Sequence, residues 1–201
     1  MKKSKTLELY RESQILISFR PGPPQEKYIS LNQTHSCNVL ALDETSNHLD
    51  GQDGIIFPKS TDQTIVIKTA DCLPIVYIGT SHIALVHAGW KGLANKIHLN
   101  EMVRKIEPTH IYTGPSICDQ CFEVTSEFKE HFPNDLDLFK TVKNSMRFMI
   151  KSKVRRDLKK QFPKSTINIS SECTLCSDHW HSHRRDKTKE RNFTIFKKVT
   201  S

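Results

Sequence analysis

The sequence predicts an α/β protein in which mixed β-layers are flanked by helices. Short apolar runs rich in β-branched residues, such as 64–67 and 83–86, are typical of buried strands. Longer segments repeat apolar residues at the spacing of a helical turn. Strands and helices do not alternate as regular βαβ units, so we expect a mixed sheet rather than a doubly wound parallel one.

The individual elements follow from these patterns and from the residues that interrupt them. Pro-Gly-Pro-Pro at 21–24 ends the first strand, and Gly-Thr-Ser at 79–81 predicts a hairpin turn. The predicted strands are 14–19, 55–57, 64–68, 75–78, 83–86, 110–112, 166–169 and 193–196. The predicted helices are 93–106, 122–131 and 141–162.

Length and cysteine use bound the class of protein. The 201 residues predict one domain spanning 1–201, long enough to bury a core. No run of about 20 apolar residues exists, so we expect no membrane span. The start is basic but lacks an apolar h-region, so we expect no signal peptide and a cytoplasmic location. The six cysteines are then expected to be reduced thiols, available for metal binding or catalysis.

The net charge of +8 raises the question of a polyanionic partner. Much of the positive excess lies in 140–164, where apolar residues recur every four positions. These residues are Val142, Met146, Ile150, Val154 and Leu158. The spacing predicts an amphipathic helix whose Lys/Arg face lies in water. The charges lack the regularly interleaved aromatic residues of a single-strand binding surface, so nucleic acid is not an expected partner.

Cys72 and His87 are the most informative pair of side chains. Cys72 lies in Thr-Ala-Asp-Cys-Leu-Pro at 69–74, just after one predicted strand. His87 opens His-Ala-Gly-Trp-Lys-Gly at 87–92, just after another. A thiol and an imidazole at neighbouring strand ends can meet at one edge of a sheet. Such a pair serves a metal or a nucleophile with its base, or is a buried cysteine beside a core histidine.

The small residues after His87 predict where this site lies in the fold. Gly89 and Gly92 allow a sharp turn and a close backbone approach to a ligand, and helical spacing follows Gly92. We therefore expect the site at a strand-to-helix junction. Free N–H groups and the charge of Lys91 favour an anion there.

Seven motifs along the chain resemble those of the laccase-domain family, also called multicopper polyphenol oxidase-like or purine nucleoside phosphorylase-like proteins. They are Gln-Thr-His at 33–35, the motifs at 69–74 and 87–92, Gly-Pro-Ser-Ile at 114–117, Cys-Phe-Glu-Val at 121–124, Cys-Thr at 173–174 and Ser-His-Arg-Arg-Asp at 182–186. The resemblance implies a single laccase-like domain with layered α/β/β/α order, similar to cysteine-hydrolase-like toxins.

The same resemblance implies a metal site. It selects His35 from the ten histidines and implies zinc bound by His35, Cys72 and His87. A His₂Cys set suits zinc because it combines a soft thiolate with imidazoles and leaves a fourth position open. Copper is the alternative metal.

Two departures from the family pattern bear on the substrate. Only residues 21–32 separate Arg20 from Gln33, where the family usually has several dozen, so we expect a flap over the site to be missing. Lys-Thr-Lys-Glu-Arg at 187–191 lacks the two glycines usual there, and Arg191 alone fits. These departures leave the preferred substrate open. The sequence does not indicate the oligomeric state.

The activity implied by the resemblance is a zinc-dependent reaction on purine nucleosides: phosphorolysis of adenosine, inosine or methylthioadenosine, and deamination of adenosine. Cys72, Asp71 and His87 are the candidate catalytic residues. Asp71 either shuttles a proton or forms a turn or hydrogen bond beside the metal ligand. The partners are then a nucleoside and phosphate, and the expected phosphate-binding side chains are Arg20, Lys91, Arg184 and Arg185.

Three other functions stay open. In a metal-free hydrolase, Cys72 is the nucleophile and His87 its base, and editing of peptidoglycan precursors fits such chemistry. Copper-dependent polyphenol oxidation is a second, although one His₂Cys set supplies few ligands for several coppers. The third is a basic nucleic-acid or partner-binding protein with a decayed site, against which the intact His35, Cys72 and His87 count.

Cysteines and histidines, which are common metal ligands, also form two groups apart from His35, Cys72 and His87. Cys118-x-x-Cys121 and Cys173-x-x-Cys176 have the spacing of a structural zinc site. The 51 residues between the pairs, 122–172, are more than usually separate the two pairs of a zinc ribbon. Family motifs also already contain one cysteine of each pair. The sequence therefore leaves a second metal open. The histidines at 179, 181 and 183 are interpreted as loop residues at the polar surface or the pocket rim rather than as metal ligands.

Overall fold

The computed structural model describes residues 5–42 and 49–199. The basic start at 1–4, on which the signal-peptide prediction rests, lies outside them. The strands are β1 (Leu7–Glu12), β2 (Ile15–Pro21), β3 (Tyr28–Ser30), β4 (Val39–Ala41), β5 (Gly54–Pro58), β6 (Thr64–Thr69), β7 (Leu73–Ile78), β8 (His82–Ala88), β9 (His110–Thr113), β10 (Glu123–Val124), β11 (Phe139–Val142), β12 (Ser145–Phe148), β13 (Thr166–Ile169) and β14 (Asn192–Lys198). The α-helices are α1 (Trp90–Ala94), α2 (Glu101–Lys105), α3 (Ile150–Gln161) and α4 (His183–Asp186). Short 3₁₀ turns span Ile97–Leu99, Ser126–His131 and Leu136–Leu138.

Two mixed sheets and a small antiparallel one organise these strands. The five-stranded sheet has the order β1-β2-β14-β6-β3, and only its β3–β6 pair is parallel. The six-stranded sheet has the order β13-β9-β7-β8-β5-β4, with parallel pairs at both edges and antiparallel pairs inside. The third sheet is β10-β12-β11. The predicted class, a mixed α/β fold with β-layers flanked by helices, is confirmed.

The core lies on both faces of the six-stranded sheet. Alternate residues of its strands, such as Phe57 and Val76, meet Ile65 and Phe196 of the five-stranded sheet in one cluster. The residues between them, such as Tyr77, face α3 and the shorter helices in a second cluster. Because both faces of these strands are buried, each is a near-continuous apolar run, which is why they were readable from sequence. Within the described chain, no helix is long and apolar enough to cross a membrane.

All eight predicted strands are present, with bounds that differ by a few residues. The predicted hairpin is confirmed too: β7 and β8 are antiparallel, and Gly79 N–H donates to His82 O at 2.9 Å. The predicted helix 93–106 is wrong as one element. It is broken after α1 by Lys96, whose φ of 60° is left-handed, and restarted by Asn100, whose side chain caps α2 by accepting from Met102 N–H.

The predicted helices 141–162 and 122–131 are also partly wrong. The first third of 141–162 is the β11–β12 hairpin, whose turn residues Lys143 and Asn144 have φ of 46° and 62°. Two left-handed residues suit the two-residue turn that a twisted hairpin requires. The second segment contains β10 followed by a 3₁₀ turn. Residues four positions apart lie on one face of a helix, and they also lie on one face of a strand. The apolar spacing alone therefore did not distinguish a helix from a hairpin.

Phe148→Ala is expected to destabilise the protein by about 3–5 kcal/mol, because it opens a cavity in an aromatic cluster. Phe148 is fully buried, and its ring centroid lies 4.4 Å from that of Phe132 and 4.8 Å from that of Phe139. The matched control is Val142→Ala on the same hairpin, where 48% of the valine is exposed and the change should be within about 0.5 kcal/mol. Urea unfolding measures both; equal effects would contradict the hairpin assignment.

Candidate active site

Cys72 and His87 meet at one edge of the six-stranded sheet, as expected from the sequence. The chain passes from β6 in one sheet to β7 in the other through a turn in which Asp71 has a φ of 83°. Cys72 directly precedes β7. His87 lies on the adjacent strand β8, opposite Pro74 of β7. The crossing between sheets therefore carries the thiol to the imidazole.

The loop of His35 is fixed against both sheets. The Gln33 side chain exchanges two hydrogen bonds of 2.8 Å with the backbone N–H and C=O of Lys68, much as a neighbouring strand does. His35 itself has a left-handed φ of 62°. Helix α1 packs closely on this loop, because a Cβ at Gly92 would lie 3.0 Å from Ser36 O. The Gln-x-His motif thus places His35 beside the other two residues.

The structure brings His35, Cys72 and His87 into one cluster. Their candidate ligand atoms all lie within 4.8 Å of one another, and Cys72 Sγ is 3.7 Å from His35 Nε2. A Cβ at Gly89 would approach His35 Cδ2 to 2.7 Å and Cys72 Sγ to 3.3 Å, which explains the glycine. Three side chains at such separations can share one ion at ordinary zinc–ligand distances of about 2.0–2.3 Å.

Asp53 orients this cluster, and sequence reasoning missed it. The carboxylate is fully buried and accepts from His87 Nδ1 at 2.6 Å. It also accepts from the backbone N–H groups of Thr34, His35 and Ser36 and from the Ser36 hydroxyl. With its Nδ1 proton held, His87 presents Nε2 to the cluster. The available signal was a carboxylate in Gly-Gln-Asp-Gly at 51–54, directly before a buried strand.

Electrostatics favour the charged forms of this cluster. Burial opposes ionisation of Asp53, but hydrogen bonds from His87 and Ser36 outweigh it and lower its pKa to about 2. Burial also opposes the Cys72 thiolate, yet the charges and hydrogen bonds of His87 and His35 lower the pKa of Cys72 to about 6. Burial works against protonated His87, whereas the Cys72 thiolate and Asp53 raise its pKa to about 9. A thiolate is the form that both a metal and an electrophile require.

The cluster lies in an open pocket of about 700 Å³, a size typical of small-molecule sites. One wall is apolar and aromatic, formed by Trp90, Ile117, Phe122 and Ile150. The lining also includes four cationic side chains, those of Lys68, Arg184, Lys189 and Arg191. The pocket that holds the thiolate–imidazole cluster therefore offers both apolar surface and positive charge.

Asp71 lines the pocket beside Cys72, and its carboxylate is held by three donors. Thr174 Oγ1 donates at 2.7 Å, Ser182 Oγ at 3.1 Å and Arg184 N–H at 2.8 Å. These contacts tie the turn before β7 to two late segments of the chain. They supply the hydrogen-bonding role that the sequence left open, and the proton-shuttle role stays a prediction.

Of the four residues expected to bind phosphate, the structure places only Arg184 in the pocket lining. Arg184 lines the pocket, with its guanidinium 4.8 Å above the Phe122 ring and Nη1 donating to Glu123 O. Arg185 is turned away and donates to the backbone oxygens of Thr174, Leu175, Ser177 and Trp180 and to the Asp186 carboxylate.

Arg20 and Lys91 are likewise absent from the pocket lining, and Lys91 Nζ instead lies 5.7 Å from the Trp90 ring centroid. In their place, the structure adds Lys68 and Lys189, which no motif indicated, and Arg191. Burial, and then the charge of Arg191, lower the pKa of Lys68. Two facing cations of this kind favour an anion between them.

Residues 11–196 match the model of the family described as multi-copper polyphenol oxidoreductase laccase. The chain belongs to this family. A purine nucleoside phosphorylase of Aquifex aeolicus is 35% identical over 184 residues, covering 89% of this chain and 86% of that protein. A purine nucleoside phosphorylase of Campylobacter jejuni is 29% identical, covering 85% and 76%. An adenosine deaminase of an unknown prokaryotic organism is 31% identical over 138 residues, covering 60% and 52%.

Solved structures share the fold. Neisseria meningitidis protein NMB0706 is 20% identical, with a TM-score of 0.81 over 97% of this chain and 99% of that one. YlmD from Geobacillus stearothermophilus is 19% identical, with a TM-score of 0.78 over 93% of each chain. The family resemblance of the seven motifs is therefore confirmed, and the relatives matched in sequence carry the names of enzymes.

Proposed function

We propose that this protein is a zinc-dependent purine nucleoside enzyme that performs phosphorolysis and adenosine deamination in one pocket. The observation that carries the proposal is the convergence of His35, Cys72 and His87, oriented by Asp53, in a pocket lined by aromatic and cationic side chains. The names of the Aquifex aeolicus phosphorylase and the adenosine deaminase support this substrate class.

The donor set fits zinc. One thiolate and two imidazoles would hold the ion through Cys72 Sγ, His35 Nε2 and His87 Nε2, with a fourth position open to the pocket. Bound zinc supplies a Lewis acid and lowers the pKa of its water to about 7. Copper is the alternative, and metal analysis of protein purified without chelator separates the two.

The roles proposed for the remaining residues rest on their positions in the pocket lining. Trp90 is only partly buried there and offers an aromatic surface against which a purine base can stack. Arg184, Lys68 and Arg191 would hold phosphate, whose oxygen replaces the purine at ribose C1′ in phosphorolysis. In deamination, water replaces the C6 amino group, and Asp71 is our candidate for carrying the proton to the departing ammonia.

A second candidate is a metal-free cysteine hydrolase. The hydrogen bond of 2.6 Å from His87 Nδ1 to Asp53, with Cys72 on the other side of His87, has the order of a carboxylate–imidazole–thiol triad. The lowered pKa of Cys72 suits a nucleophile as well as a ligand. Retention of activity after complete metal removal would favour this candidate.

Arg184→Ala is expected to raise the apparent KM for phosphate about tenfold or more, because a hydrogen bond to a charged group is worth about 1.5–3 kcal/mol. The KM for nucleoside should change less. Alanine keeps the backbone N–H that Asp71 accepts, so the turn before β7 is retained. The measurement is initial rate of base release against phosphate concentration.

The matched control is Arg155→Ala, an exposed arginine on α3 outside the pocket, which should leave both KM values unchanged. Equal turnover of nucleoside by the wild type with and without phosphate would contradict phosphorolysis and leave deamination or hydrolysis. An unchanged phosphate KM in Arg184→Ala would contradict the assigned phosphate position.

A further inference from the structure

A second cluster of thiols lies outside the pocket. The four sulfur atoms of Cys118, Cys121, Cys173 and Cys176 all lie within 4.8 Å of one another, and Cys121 Sγ is 3.2 Å from Cys176 Sγ. The two Cys-x-x-Cys segments are joined beside this cluster by a parallel bridge between Ser116 and Cys173. The long separation in sequence is therefore removed by the fold.

Both segments form tight turns that direct two sulfurs inward. In the first, the N–H groups of Cys121 and Phe122 donate to Cys118 O at 3.0 Å. In the second, Ser177 N–H donates to Cys173 O at 3.1 Å. The Cys118 N–H also points at Cys173 Sγ, at 3.3 Å. Backbone donors aimed at a sulfur stabilise its thiolate form.

Two cations, Lys151 and Arg185, lie near the second turn. Lys151 is buried, and its Nζ donates to Ser170 O and Glu172 O, directly before the second turn. Burial lowers the pKa of Lys151, and the nearby Cys173 and Cys118 oppose that shift, which marks them as its electrostatic neighbours. The Arg185 guanidinium donates to three carbonyls of the second turn. Four thiolates around a divalent cation carry a net charge of −2, which the nearby Lys151 partly balances, whereas Arg185 also pairs with Asp186.

We propose that Cys118, Cys121, Cys173 and Cys176 bind one zinc ion as a closed structural site, separate from the His35–Cys72–His87 cluster. An all-sulfur set of four selects a soft, tetrahedral ion and leaves no position open for substrate. Each thiol that binds loses its S–H proton to solvent as the Zn–S bond forms, so up to four protons are released.

The site would stabilise the pocket from outside. Ile117 and Phe122, on either side of the first turn, line the pocket wall. Thr174, inside the second turn, donates to Asp71 beside Cys72. An ion joining the two turns holds these contacts in register without touching substrate.

Metal content tests the proposal directly. Wild-type protein supplied with zinc and freed of excess metal should contain two zinc ions per chain. The double variant Cys118→Ser/Cys176→Ser should retain only the zinc ion at the His35–Cys72–His87 cluster. The double variant Cys72→Ala/His87→Ala should retain only the ion at the four cysteines, and the variant with all four changes should contain none. The matched control is Cys37→Ser, an exposed cysteine outside both clusters, which should retain two. An unchanged zinc count in Cys118→Ser/Cys176→Ser overturns this inference, whereas an unchanged count in Cys72→Ala/His87→Ala overturns the metal in the proposed function.

A second measurement covers the case in which the serine variant does not fold. Cobalt added to Cys72→Ala/His87→Ala should bind at one equivalent, with the intense thiolate-to-cobalt charge-transfer bands of a four-sulfur site. Titration without such bands overturns the inference. A thiol count of the denatured, unreduced wild type should give six; a count of four would show a disulfide in place of the site.

Discussion

Cys72→Ala is expected to lower kcat/KM for nucleoside by about a thousandfold or more, because it removes the thiolate that a metal or an electrophile requires. The loss is expected under both candidate functions, so it identifies the site without naming its chemistry. Cys37→Ser is the control and should retain full activity, since that thiol is exposed and outside the pocket. Steady-state kinetics with adenosine and inosine, with and without phosphate, measure both variants.

Cys72→Asp separates the two candidate functions. A carboxylate can still bind zinc, but it replaces a thiolate nucleophile poorly. Bound metal with measurable turnover supports the zinc enzyme. Complete loss of turnover in a variant that retains its metal supports the cysteine nucleophile.

Asp53→Ala is expected to have the largest effect on stability in the site, about 3–5 kcal/mol, because it leaves the buried His87 imidazole and three partly buried backbone N–H groups without their acceptor. The donors left unpaired are His87 Nδ1 and the backbone N–H groups of Thr34, His35 and Ser36. Asp53→Asn keeps the volume and one acceptor, so it should lose less stability. It should still weaken zinc binding about 10- to 100-fold, since the orientation of His87 is no longer fixed.

Urea unfolding of metal-free protein and zinc competition titration measure the two effects separately. Asp135→Asn is the matched control, because Asp135 is a buried carboxylate paired with Lys153 and Arg156 outside the pocket. It should lower stability and leave zinc affinity at the His35–Cys72–His87 cluster unchanged. Normal affinity in Asp53→Asn would contradict an orienting role for Asp53.

The strands around the site were predictable because each is buried on both faces. β6, β7 and β8 are short β-branched runs, so composition alone marks them, and the motifs at 69–74 and 87–92 mark the ends of β6 and β8. Segment 141–148 was not predictable from spacing, since its apolar residues satisfy both a helix and a hairpin. The deciding feature was Lys-Asn at 143–144, which adopts a left-handed turn.

Residues of the candidate site could be predicted where they belong to a sequence motif. Residues that reach the site only through the tertiary fold could not. Asp53 acts on His87, 34 positions away, and on the loop of His35, so nothing near it in sequence indicates its partners. The cationic part of the pocket lining is similar: Lys68 and Lys189 reach the pocket only because β6 and the segment before β14 lie side by side. Arg184 and Arg185 are adjacent in one motif, yet the short helix α4 sends one to the pocket and the other to backbone carbonyls.

The position of β14 has a consequence for how the protein is made. All three residues of the His35–Cys72–His87 cluster precede residue 90, but the sheet behind them is completed only when β14 enters between β2 and β6. Until residues 192–198 have left the ribosome, β2 and β6 each present an unpaired edge with buried apolar residues. The nascent chain therefore carries His35, Cys72 and His87 for most of synthesis without the sheet that supports them, and during this interval the unpaired strand edges are open to edge-to-edge association.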